Sequence, residues 1–62
     1  MKKFEYQIIY YERGFEKGAR DKFLAFLNKL GQEGWELVFE KENPPPSVYV
    51  ELTFKREIKE TV

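Results

Sequence analysis

One switch of period constrains this chain more than any other feature. Ala19, Phe23, Leu27 and Leu30 fall in a narrow arc at about 100° per residue, with Leu24 and Phe26 on its flanks. Asp21, Lys22, Asn28 and Lys29 take the opposite side. This predicts one amphipathic helix of roughly three turns. The segments on either side have period two instead, so a single helical stripe must be covered by strands.

Before the helix, Phe4, Tyr6, Ile8 and Tyr10 alternate with Lys3, Glu5 and Gln7, which predicts a strand with the first set facing the core. Ile9 and Tyr11 break the pattern by adding apolar groups to the second face. That end of the strand must be covered on both sides. Gly14 and Gly18 bracket a loop from Arg13 to Gly18. After the helix, Trp35, Leu37 and Phe39 alternate with Glu36, Val38 and Glu40, predicting a second strand. A third strand puts Val48, Val50, Leu52 and Phe54 on one face and Tyr49, Glu51, Thr53 and Lys55 on the other, with Ile58 in phase with the first set. Asn43-Pro44-Pro45-Pro46-Ser47 cannot lie inside a strand, because proline donates no amide. It reads as a stiff connector, polyproline-like at its middle. Gly31 is expected at the left-handed position that stops the helix, with Gly34 a second permissive position before the chain turns extended. Residues 59–62 are expected to fray.

The order strand, helix, strand, strand implies an α+β fold, a β-α-β-β two-layer sandwich in which one helix packs on one face of a three-stranded sheet. The preferred strand order is 1-3-2 with a right-handed crossover, although the pattern also admits strand one at the centre. The expected core is Phe4, Tyr6, Ile8, Tyr10, Phe23, Leu27, Leu30, Trp35, Leu37, Phe39, Val50, Leu52 and Phe54. With 62 residues, residues 1–62 are expected to form a single small α+β domain. So short a chain buries only about 60% of its unfolded surface, which favours association.

The segment Leu27-Asn28-Lys29-Leu30-Gly31-Gln32-Glu33-Gly34-Trp35-Glu36-Leu37-Val38 resembles the LNxLGxEGWELV signature of a small bacterial and phage family, the domain of unknown function numbered four-one-seven-seven. Phe54-Lys55-Arg56 resembles the family's closing strand, and Met1 to Tyr6 its usual opening. The triple proline and the Tyr10-Tyr11 pair depart from the pattern. The resemblance supports the fold and implies no activity, cofactor or substrate. Gly31, Gly34, Trp35 and Leu37 are read as structural: a helix stop, a reversal and two anchors for the next strand.

The chain has neither His nor Cys, so imidazole bases, thiol nucleophiles and the usual zinc sets are excluded. Ser47, Thr53, Thr61, the tyrosines and the lysines have no such group to activate them. Glu36, Glu40 and Glu51 are expected to project from the sheet face away from the helix, as a solvated acidic surface rather than an active-site pair. No catalytic residue, metal site or cofactor is expected, and the chain reads as non-enzymatic. Eleven basic residues balance eleven acidic ones. That balance disfavours nucleic acid, although Tyr11 and Tyr49 on a sheet face could in principle stack single-stranded bases. No stretch approaches the roughly 20 apolar residues of a membrane span. A cytoplasmic setting is expected, either bacterial or that of a host cell if the protein is viral.

The remaining signal is apolar excess. Ile9, Tyr11, Val38 and Tyr49 are expected to form an outer-face patch covered by another copy of the chain, as a homodimer or higher oligomer. The alternative is a phage-type accessory protein that docks this patch on a host or viral protein. The proline loop could also serve as a ligand for an aromatic groove.

Overall fold

The computed structural model describes residues 1–59. The elements are β1 (Lys3–Glu12), α1 (Ala19–Gln32), β2 (Glu36–Glu42) and β3 (Tyr49–Ile58). The sheet order is β1-β3-β2, and both outer strands run antiparallel to β3. The alternative with the first strand at the centre is thereby removed. Apart from Lys59, the fraying expected at the C-terminal end lies outside the described residues.

The core gathers on β3. Val50, Leu52 and Phe54 are almost fully buried, and Leu30 of α1 joins them. Phe23, Phe26, Leu27 and Trp35 close over this cluster from the helix side, with Ile9 and Tyr11 beside it. A central strand is flanked by both neighbours and roofed by the helix, so its apolar face is the one place in so small a fold that loses water completely.

The β1 face is the reverse of the expected one. The register sets Gln7 opposite Phe54, Ile9 opposite Leu52 and Tyr11 opposite Val50. Directly paired residues share a face, so Ile9 and Tyr11 point at the helix. The Tyr11 ring lies 4.9 Å from the rings of both Phe23 and Phe26. Phe4, Tyr6, Ile8 and Tyr10 are therefore exposed on the far side and are not core. The physical reason is that β3 commits its Val50-Leu52-Phe54 face to α1, and pairing with β3 then dictates which half of a doubly apolar strand follows. Outside, the Tyr6 and Tyr10 hydroxyls keep the polar environment they need.

A register shift between Leu37 and Phe39 makes the second correction. Leu37 pairs with Phe54 on the helix face, although at the sheet edge it stays partly exposed. Phe39 pairs with Thr53, which turns it outward and removes it from the expected core. A bulge sets two residues against one, so Val38 and Phe39 share the position opposite Thr53. Beyond the bulge the phase is inverted. Glu40 pairs with Leu52 on the helix side, away from Glu36 and Glu51.

The helix ends later than Gly31 suggests. Gly31 lies within α1, and Glu33 is the C-cap. The left-handed residue is Gly34, with φ of 92°. Its amide donates to the Gly31 carbonyl at 3.0 Å, and the Trp35 amide donates to the Leu30 carbonyl at 3.0 Å. These are the two bonds of a Schellman motif, in which the residue after the left-handed glycine also contacts the last helical turn. Trp35 makes that contact by packing beside Leu30. At the other end, Gly18 precedes the helix with φ of 89°.

The proline connector is a tight turn rather than a polyproline rod. The Ser47 amide donates to the Pro44 carbonyl at 3.1 Å, and the Pro45–Pro46 peptide is cis. Ser47 Oγ then accepts from the Tyr49 amide at 3.2 Å.

Candidate functional site

With α1 covering one side, the other side of the sheet stands open. Cross-strand pairing arranges it in rows. Ile8, Thr53 and Phe39 form the middle row. On one side of it lies a row of Tyr10, Glu51 and Lys41, and on the other a row of Tyr6, Lys55 and Glu36. Further out, Glu12 pairs with Tyr49 and Phe4 with Glu57. The apolar members are well exposed: Tyr6 at 64%, Tyr10 at 62%, and Ile8 and Phe39 at 56% each.

Charge on this face is ordered. Lys55 Nζ lies 3.8 Å from Glu36 Oε2 and 4.9 Å from the centre of the Phe4 ring. Glu51 stands opposite Tyr10, and its carboxylate, as an acceptor and as a negative charge, holds the phenol above its ordinary value of 10.0.

Of the four interface residues expected from sequence, Val38 and Tyr49 are exposed. Ile9 and Tyr11 are not available, because they pack against the core. The residues that replace them, Ile8 and Tyr10 with Tyr6 and Phe39, carried a usable signal. Ile8-Ile9-Tyr10-Tyr11 is apolar on both faces, so one half of it had to remain uncovered.

Two other regions bear on function. An open groove of about 360 Å³ runs between the loop after β1 and the start of α1, with Tyr11, Phe15, Phe23 and Val50 on its walls and Arg13 and Arg20 on its rim. Arg13 is already paired with Glu42. On the helix face, Arg56 lies 4.2 Å over the Trp35 ring and 3.2 Å from Glu5 Oε2, and donates to the Glu33 carbonyl at 3.3 Å. This joins β1 and the turn between α1 and β2 to β3 through one guanidinium. Among the described residues no group of three or more acidic side chains is placed to hold a metal ion, and no helix is long and apolar enough to cross a membrane.

The family described as a domain of unknown function, DUF4177, matches residues 4–57. The chain belongs to this family. No curated protein and no solved structure shows significant similarity to it. For this DUF4177 chain, the Leu30-Gly31-Gln32-Glu33-Gly34-Trp35 stretch is accounted for by the Schellman geometry. Arg56 of the Phe54-Lys55-Arg56 ending is accounted for by its seat on Trp35. These residues hold the fold together at its closed end and leave the outer sheet face as the candidate site.

Proposed function

We propose that this DUF4177 protein is a non-enzymatic interaction protein that self-associates through the outer face of its sheet. The observation that carries the reading is the size of the uncovered aromatic face. Taking about 200 Å² for a whole aromatic side chain, its exposed apolar groups offer roughly 600 Å² per copy. That is at the upper end of the largest apolar patch of an ordinary monomer. Two copies face to face would bury about 1,200 Å² in all, the lower end of stable interfaces. A second copy is the fitting occupant because the two rows beside the apolar centre set Glu36 and Glu51 against Lys41 and Lys55, a pattern that suits a surface of the same composition better than a polyphosphate.

The test is the molecular mass in solution, by sedimentation equilibrium across a concentration series. The parent chain is expected to dimerise, whereas Ile8→Lys and Phe39→Lys are expected to be monomeric, since each would bury an unpaired ammonium on the middle row. A parent that remains monomeric at high micromolar concentration would remove the reading and turn attention to a heteromeric partner for the same face.

A further inference from the structure

We infer that the two copies meet about a two-fold axis lying along the Ile8–Thr53–Phe39 row, so that Glu51 of each copy faces Lys55 of the other. The inference rests on the self-association proposed above and specifies its geometry. The charge pattern of the face carries it. On one side of the middle row stand Glu51 and Lys41, and at the matching positions on the other side stand Lys55 and Glu36. β2 and β3 therefore each reverse their sign of charge across the row, while β1 sets Tyr10 and Tyr6 there. A half-turn about the row lays the second sheet on the first with its strands running the opposite way.

Under that operation Glu51 comes over Lys55 of the second copy, and Lys41 over its Glu36. Tyr10 comes over Tyr6, while Ile8, Thr53 and Phe39 each meet their own counterpart. Further out, Tyr49 comes over Glu57, where its hydroxyl can donate to the carboxylate; Phe4 and Glu12 meet only at the far corner. Facing sheets pack about 10 Å apart, a gap that a glutamate and a lysine close from opposite sides. The competing two-fold axis, running along β3, would set Glu51 over Glu51 and Lys55 over Lys55. Like charges would then meet in the middle of the contact, and β1 would lie over β2. Only the axis along the row makes the face complementary to itself.

Sedimentation equilibrium of the intact chain tests this with Glu51→Lys and Lys55→Glu. The parent is expected to dimerise. Each variant alone is expected to dimerise at least tenfold more weakly, since the symmetry turns two attractive contacts into two repulsive ones. An equimolar mixture should recover a heterodimer, because one copy then offers two lysines to the other's two glutamates. A second arm does not depend on charge: the chain has no cysteine of its own. Glu51→Cys mixed with Lys55→Cys should be cross-linked by a short bis-maleimide, whereas Glu51→Cys alone should not. A dimeric parent whose single charge variants dimerise equally well, or whose Glu51→Cys links to itself, overturns the axis and leaves self-association standing. A monomeric parent overturns both.

Discussion

Replacing the two glycines of the helix end by alanine, one at a time, should move stability in opposite directions. Gly34 has φ of 92°, in the left-handed region that costs an L-residue about 1–2 kcal/mol. A Cβ there would also sit 3.3 Å from Arg56 Cδ, so the arginine would have to give way while remaining stacked on Trp35. Gly34→Ala should therefore lose about 2 kcal/mol. Gly31 lies inside α1, and a Cβ built on it meets nothing within 4 Å. Gly31→Ala should gain about 0.5–1 kcal/mol, because alanine has less freedom to lose on entering a helix. The gap between the variants, about 2.5–3 kcal/mol, corresponds to a separation in Tm of about 10–24 °C for a domain of this size. Thermal melts followed by far-ultraviolet circular dichroism, at one protein concentration because association would shift Tm, measure it directly. If Gly34→Ala melts at or above the parent, or Gly31→Ala falls as far as Gly34→Ala, the Schellman assignment is wrong.

Leu52→Ala should cost about 2–5 kcal/mol, comparable with the whole stability of so small a domain, and leave no cooperative transition in a urea titration. Arg56→Ala should cost about 1–2 kcal/mol by uncovering Trp35 and releasing the Glu33 carbonyl. A red shift of the single tryptophan's emission would report the first loss, and Arg56→Lys should recover only part of the stability because an ammonium cannot span three partners. Tyr10 should titrate above 10.0 in a pH series of its ring resonances. Glu51→Gln should bring it down, since the charged acceptor that favours the protonated phenol is gone; an unchanged titration would place Glu51 elsewhere.

The helix and β3 were readable because each has one apolar face and one period. The family signature is recognisable from Leu27 to Val38, and the order 1-3-2 is the one the crossover rule prefers. The pattern alone also admits strand one at the centre, and only the pairing of both outer strands with β3 decides it. The phase of β1 was not readable from β1. Ile8-Ile9-Tyr10-Tyr11 fits either face, and the choice comes from pairing with Val50 and Leu52, a contact some forty residues away in the chain. The bulge at Val38 has no Gly or Pro to mark it, so strict alternation carries Phe39 into the core beside Leu37 and loses the phase of β2 beyond that point. Gly31 and Gly34 are both permissive enough to stop a helix, and glycine content alone does not choose between them. The better clue was the five-residue step from Leu30 to Trp35, the spacing at which two large side chains meet around a left-handed residue. The phase of β1 also decides half of the candidate interface, since Ile9 and Tyr11 exchange sides with Ile8 and Tyr10.

The central strand is also the last of the four elements in the sequence, and this governs how the protein can be made. β1 and β2 do not touch one another as strands; each is hydrogen-bonded only to β3. A nascent chain that has emerged as far as Val48 thus holds two strands without a partner and a helix without a floor, with Ile8 to Tyr11 uncovered on both sides. Folding must wait for Tyr49–Ile58 to leave the ribosome, whose tunnel retains the newest residues, so it occurs at or after the end of this domain's synthesis. Two long-range antiparallel pairings then form around one strand, and until they do the doubly apolar β1 segment has no strand to pair with.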